Sequence, residues 1–373
     1  MTVASPVSSR ILGLGVSHYP PFSGLDEDMA NIFRGRLDDP GVPESAKDPK
    51  SWPGPLRAEW GKDRGVAAAT QHREAMLVGL RRVRQALDDF NPDFVVIWGD
   101  DQYENYKEDI VPAFSVLAYE DSVMHPWRDA SESAMFDPRK VDEWGGGRPN
   151  IWGEAADVSF TLRGHRDVAK HIASSLIEQE FDVAYAYKPL HHPGLAHAFL
   201  NAVLYLDFDR KGWSYPVIPI SVNCYGRRAI SYRGFISRID DHRPFDPPSP
   251  SPKRCFDLGA AIARTVRNMP GRVALIGSSS WSHAFLVDKT YRMLPDITAD
   301  RKLYDAMVSG NYDVWRNYSL DELEDSAQQE VLNWFVLVGA MNELGMRVQW
   351  SDFVETYLFN SSKVSAIFGA SET

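Results

Sequence analysis

Histidines stand in this chain where apolar runs end. Ile11-Leu12-Gly13-Leu14-Gly15-Val16 stops at Ser17-His18-Tyr19-Pro20, and the proline forbids continuation of a strand. A second run, Arg272-Val273-Ala274-Leu275-Ile276-Gly277, leads into Ser278-Ser279-Ser280-Trp281-Ser282-His283. Strand exits are where α/β folds collect ligand groups, so two Ser-His pairs at two exits point to one site assembled from distant segments. Gly99-Asp100-Asp101-Gln102 brings oxygen donors to a third exit, and His191-His192-Pro193-Gly194 presents imidazole on a turn ahead of a helix. Glu330 opens an apolar helix in Gln329-Glu330-Val331-Leu332-Asn333-Trp334. Buried there, its carboxylate needs a cation or strong donors; solvated, it is accounted for by the helix macrodipole alone. Imidazoles with carboxylate and amide oxygens suit a divalent metal or acid–base work.

The elements that must position these groups alternate between strand and helix. Phe94-Val95-Val96-Ile97-Trp98 is a continuous apolar run, as in a strand covered on both faces. Further strands are expected at Val183–Tyr187, Val217–Val222 and Val273–Ile276. Ala67–Phe90 reads as a helix with Ala75, Leu77, Val78, Leu80, Val83 and Leu87 as its buried stripe. Other helices are expected at Val168–Glu178, Gly194–Leu204, Cys255–Asn268 and Leu320–Asn342. The order implies an α/β fold, a three-layer α/β/α sandwich around a mixed central sheet, as a single domain over residues 1–373. Two stretches break the rhythm. Residues 24–64, rich in proline and polar residues, read as an irregular insertion. Residues 121–160 carry Trp127, Trp144, Gly145-Gly146-Gly147 and Trp152, which suit a lid over a planar ligand or anchors that pin a long excursion to the body.

Composition narrows the function classes. The 373 residues carry a formal net charge of −11 and no basic run, which disfavours nucleic acid and anionic membrane as partners. Two cysteines, Cys224 and Cys255, are too few for a disulfide framework and fit a reducing cytoplasm. No apolar stretch approaches the roughly 20 residues of a membrane span, and residues 1–10 lack the apolar core of a signal peptide. No Gly-x-Ser-x-Gly elbow, Gly-x-Gly-x-x-Gly or Walker pattern marks a hydrolase or a nucleotide site. Arg227 and Arg228, just past Val217–Val222, could meet a substrate carboxylate, although loop arginines are commonly solvated, and Asn223 beside them is a further candidate for the substrate's surroundings. A homodimer is the default assembly for such an enzyme.

Five motifs in order, SHYP, GDDQ, HHPG, WSH and QEVLNW, give the chain its resemblance to the class III extradiol ring-cleavage dioxygenases of the protocatechuate 4,5-dioxygenase catalytic-subunit type. The likeness runs from about residue 11 to residue 342. It implies an iron(II) enzyme, with manganese(II) an alternative, that opens the ring of a small catechol-like aromatic with O₂. By this resemblance His18 and Glu330 match metal ligands, His283 matches an acid/base histidine, and His192 matches a histidine that orients substrate or oxygen. Asp101 and His191 adjoin these motifs as further candidates. The family's remaining ligand is a histidine, and its place is taken here by Gln102. Three arrangements follow. Gln102 could ligate through its amide oxygen; Asp100 or Asp101 could supply an anionic oxygen instead; or Gln102 could bind a metal-held water. The same fold and site could then serve a different reaction, or a metal-free binding protein. Some family members close the site with a small companion chain; here residues 24–64 and 121–160 are candidates for that role.

Overall fold

The computed structural model describes residues 10–107, 109–127, 149–227 and 244–370. Strands are β1 (Ile11–Val16), β2 (Phe94–Asp100), β3 (Phe114–Leu117), β4 (Ser122–Met124), β5 (Phe160–Leu162), β6 (Ala184–Ala186), β7 (Val217–Val222), β8 (Val273–Ser278), β9 (Met346–Val354) and β10 (Lys363–Ala370). The principal helices are α1 (Val66–Phe90), α2 (Arg166–Glu178), α3 (His197–Leu206), α4 (Pro252–Arg267), α5 (Ile297–Val308) and α6 (Leu332–Glu343). Among the described residues, eight strands form one mixed sheet in the order β6-β3-β7-β2-β8-β1-β10-β9, and β4 pairs with β5 separately. Its centre, β7-β2-β8-β1, is parallel throughout, while β10 runs antiparallel to β1 and β9 antiparallel to β10.

The apolar run of β2 shows why the sandwich has three layers. Phe94, Val96 and Trp98 point into one core with residues of α2, α4 and α6, whereas Val95 and Ile97 point into the other with residues of α1 and α3. Both faces of the strand are therefore covered, which a continuous apolar strand requires. On α1 the buried stripe is Ala69, Met76, Leu77, Leu80, Val83 and Leu87, with His72 and Arg73 alongside. Val78, expected in that stripe, is exposed because it lies off the repeat of three and four.

The parallel register sets the site. Val16 pairs with Ser278 and Asp100 with Val222, so β1, β2 and β8 end on one edge of the sheet as neighbours. Residues 24–64 are more ordered than expected. Their prolines cut them into short helices, Asn31–Leu37, Glu44–Lys47 and Gly54–Trp60, each too short for a periodic face. Phe33, Trp52 and Trp60 instead stack edge to face and close the α1 side of the core. Trp127 and Trp152 act as anchors: one indole N–H donates to Glu154 and the other to the Phe208 carbonyl. Trp144 and Gly145–Gly147 lie outside the described residues, as does Arg228. Cys224 and Cys255 are buried and unpaired, and among the described residues no helix is long and apolar enough to cross a membrane.

The helix expected over Leu320–Asn342 is interrupted. A capping box between Ser319 and Glu322 starts a helix that ends at Asp325, Ala327 takes a positive φ of 53°, and a 3-10 turn at Gln329–Val331 leads into α6. The interruption gives Glu330 its direction. Helix α6 is held against α4 by two glycines: a Cβ on Gly259 would lie 1.8 Å from the Val336 carbonyl oxygen, and one on Gly339 would lie 2.0 Å from that of Phe256. Backbone meets backbone there, so a methyl group can be admitted only by parting the helices. Gly339→Ala is expected to lower stability by about 3 kcal/mol, read by chemical denaturation of the two proteins side by side. A loss below about 0.5 kcal/mol would show that the crossing relaxes freely.

Candidate metal and acid–base site

His18 follows β1 with its ring wholly buried. Its Nδ1 lies 3.0 Å from Ser278 Oγ at the end of β8, and the Ser278 hydroxyl donates to the Ala198 carbonyl at 2.9 Å. The serine's single hydrogen is thus committed, so Nδ1 carries the proton and Nε2 keeps its lone pair. That Nε2 has no hydrogen-bond partner. It faces Glu330 Oε2 at 3.4 Å and Asp100 Oδ1 at 3.7 Å. Asn201 Nδ2 donates to the His18 carbonyl at 3.3 Å and fixes the turn from the α3 side.

The carboxylates are held from several elements. Glu330 Oε2 accepts the Ser280 backbone N–H at 3.2 Å, and its Oε1 lies 3.1 Å from His283 Nε2. Burial alone would raise Glu330, but the His283 imidazole beside it holds the carboxyl well below its ordinary range. Burial would likewise lower His283, and Glu330 reverses this and raises it. Asp100 is fully buried at the end of β2 and is raised by burial and by the charge of Glu330. Asn333 on α6 donates from Nδ2 to Asp100 Oδ1 at 3.2 Å and to the Ser278 carbonyl at 3.0 Å. Gln102 donates from Nε2 to Glu330 Oε1 at 2.7 Å and to Asp100 Oδ2 at 3.2 Å.

A histidine that the motifs did not single out joins this cluster. His197 opens α3, its ring is 5.1 Å from that of His18 and nearly perpendicular to it, and one ligand atom each from His18, Asp100 and His197 lie within 4.8 Å of one another. Its Nδ1 lies 2.8 Å from Glu104 Oε2 and its backbone N–H donates to Glu104 Oε1 at 3.0 Å. Burial would lower His197, but Glu104 raises it to about 10, so the two form a buried ion pair. The neighbouring Asn105 clamps the approach to α3, donating to the Gly194 carbonyl and accepting the Ala196 N–H, each at 2.8 Å. His197 follows the turn at Pro193-Gly194 by a few residues, the one sequence signal that could have marked it.

The other candidates are placed as follows. His192 is buried, with Nδ1 accepting the Gly194 N–H at 3.1 Å, and is close enough to Glu104 to help lower it. His191 stands outside the cluster, exposed and paired with Asp109 at 3.0 Å. Asp101 organises the loop after β2: it accepts the Glu104, Asn105 and Tyr106 N–H groups and the Tyr225 hydroxyl. Burial and then Glu104 push it up to about 6. Asn223 caps its own turn by accepting the Tyr225 N–H, and Arg227 is engaged by Asp321 at 3.0 Å and Glu324 at 3.2 Å. Both serines of the Ser-His pairs are structural: Ser17 exchanges two hydrogen bonds with the Val364 backbone, and Ser282 donates to the Ser326 carbonyl while accepting the Asp296 N–H.

Comparison with known proteins follows the same lines. Residues 246–367 match the family described as the catalytic LigB subunit of aromatic ring-opening dioxygenase. A 2,3-dihydroxyphenylpropionate/2,3-dihydroxicinnamic acid 1,2-dioxygenase from Pseudomonas putida is 25% identical over 205 residues, 55% of this chain and 48% of that protein. Its counterpart from Burkholderia vietnamiensis is 28% identical over 203 residues, 54% of this chain and 47% of that one. A gallate dioxygenase from Pseudomonas putida is 26% identical over 123 residues, 32% and 29% of the two chains. The chain spans about half the length of the first two.

Glu330 is aimed by a second buried carboxyl. Asp300 Oδ1 accepts the Ser282 N–H at 3.0 Å and Gln328 Nε2 at 2.7 Å, tying the β8 exit to the turn before Glu330. Its Oδ2 has no partner, and burial pushes the group up to about 7 from an ordinary 3.8. Below the ordinary value the folded and unfolded chains are both protonated at Asp300. As pH rises from there through about 7, the unfolded chain gives up the proton first, and stability falls. Asp300→Asn keeps the accepting oxygen and removes this dependence. Its advantage over the wild type in thermal unfolding is expected to grow from pH 4 to pH 8, approaching on the order of 4 kcal/mol. An advantage that stays flat across that range would contradict the assignment.

Proposed function

We propose that the chain is a metal-dependent enzyme of the class III extradiol dioxygenase type that opens the ring of a small catechol-like aromatic with O₂, a reading supported by its similarity to the LigB family and to named ring-cleaving dioxygenases. The observation that carries this reading is the unpartnered His18 Nε2, turned toward two buried carboxylates with His283 alongside. A bare imidazole nitrogen facing anionic oxygens in a dry setting is a donor set in want of a cation, so the residues fit a divalent metal. His18 and Glu330 would hold it, and the β2 exit, with Asp100 and Gln102, would complete the set. Iron(II) is the ion that the family implies, with manganese(II) the alternative. Iron bound there supplies the one-electron chemistry that allows O₂ to react with an aromatic ring.

The protein's own groups do the rest. Ser278 fixes the His18 tautomer, as outer partners of metal-bound imidazoles do. His283, 3.1 Å from Glu330, would in its neutral form take a phenolic proton and return it as the ring opens. Within its pair with Glu104, the His197 ring carries a buried positive charge near Asp100, where it would meet a substrate oxygen that becomes anionic. The ring carbon–carbon bond beside the two hydroxyls breaks, both oxygen atoms of O₂ enter the product, and the aromatic is oxidised as O₂ is reduced.

Anaerobically purified protein is expected to hold about one iron per chain and to consume O₂ with catechol-type acids. His18→Ala is expected to lose both metal and turnover. His283→Ala should keep its metal while kcat falls roughly 10²–10⁴-fold. Ser278→Ala should weaken metal binding about 10–100-fold. A protein that takes up iron fully yet consumes no O₂ with any catechol, gallate or aminophenol would refute the ring-opening reading.

A further inference from the structure

The geometry points to Asp100, not Gln102, as the third protein ligand of the metal, in a set of one imidazole and two carboxylates: His18, Asp100 and Glu330. The inference rests on the metal-dependent reading above and concerns which side chains hold the ion.

Gln102 is committed elsewhere. Its amide nitrogen donates to Glu330 Oε1 at 2.7 Å and to Asp100 Oδ2 at 3.2 Å. Turning the amide over would set its oxygen against two carboxylate oxygens at those same distances, a contact with no proton to share. The neighbours therefore decide the orientation. Gln102 is a clamp that holds two like charges side by side, with its amide oxygen directed away from both.

Asp100 has the opposite character. It is fully buried, and its only ion-pair partner among the described residues is His18, at 3.7 Å from Oδ1 to Nε2. Amides, not cations, supply its two hydrogen bonds, from Asn333 at 3.2 Å and Gln102 at 3.2 Å. Among the described residues no lysine or arginine pairs with Asp100 or Glu330. The cationic neighbours of these two buried carboxylates are imidazoles alone, and a divalent ion between the carboxylates and His18 lowers the cost of burying them together. Asp100 also shares with His18 and His197 a cluster of ligand atoms that lie within 4.8 Å of one another. Two carboxylates neutralise a divalent ion fully, and oxygen donors favour Mn²⁺ and Fe²⁺ over softer ions.

Mn²⁺ alone serves as the probe, titrated into metal-stripped wild type, Asp100→Asn and Gln102→Ala and followed by electron paramagnetic resonance and thermal unfolding. Gln102→Ala is expected to weaken binding by no more than the about 10–100-fold typical of losing an outer partner, and Asp100→Asn by more than that. The stripped Asp100→Asn protein should melt at or above stripped wild type, because an uncompensated charge is gone. Mn²⁺ should then raise the melting temperature of wild type and leave that of Asp100→Asn unmoved. Asp100→Asn binding Mn²⁺ as wild type does, or Gln102→Ala losing it more completely than Asp100→Asn, would overturn the assignment while leaving a metal enzyme in place. A stripped Asp100→Asn protein that melts well below wild type would overturn it too, by giving the carboxylate a structural role. Wild type that binds no Mn²⁺ or Fe²⁺ would overturn both this assignment and the metal-dependent reading.

Discussion

Asp100 and Glu330 are buried within 4 Å of one imidazole nitrogen, and among the described residues neither has a lysine or arginine for a partner. That concentration of negative charge in a dry setting is the constraint to which the surroundings answer. Amide groups, backbone N–H donors and imidazoles converge on it: Asn333 from α6, Ser280 N–H from the β8 exit, Gln102 from the β2 exit, and His283. The donors come from three segments, the β8 exit supplying two of them, so the charge can be kept only if β1, β2, β8 and α6 all hold their relative positions. The parallel register of the three strands and the glycine-mediated crossing of α6 over α4 supply that rigidity.

The same constraint explains the loop after β2. Asp101 gathers three backbone N–H groups there, which turns Glu104 and Asn105 toward α3. Glu104 then fixes His197, and Asn105 holds the preceding turn. A short acidic stretch thus performs three tasks by neighbouring residues: Asp100 faces His18, Asp101 shapes the loop, and Glu104 orients a second histidine.

Much of this was legible in the sequence. The strand exits announce themselves because short apolar runs end at Pro20, at Gly99-Asp100 and at a serine cluster, and parallel strands place such ends together. Glu330 was legible as a carboxylate opening an apolar helix. His197 was hidden, because its partner Glu104 lies 93 positions earlier and only the fold joins them. The break before Glu330 was hidden too, since no glycine or proline marks Ala327, and the positive φ is imposed by Gln328 being drawn to Asp300 and Tyr318. The β9–β10 hairpin went unread because β9 is half-buried along most of its length and shows no clean alternation. Gln102 reads as a candidate ligand by position; its hydrogen bonds to Glu330 and Asp100 join residues that sequence cannot place side by side.

The pairing of β1 has a consequence for how the molecule is made. His18 follows a strand whose neighbours are β8 and β10, and Ser17 beside it is tied to Val364. During synthesis, everything up to about residue 270 can be outside the ribosome while β1 still lacks a partner on either side. Strand β1 is therefore enclosed only after β8 has been made, and its apolar face must wait in a nascent chain where strand-prone segments risk pairing wrongly. For this strand the order of synthesis and the order of assembly run opposite ways.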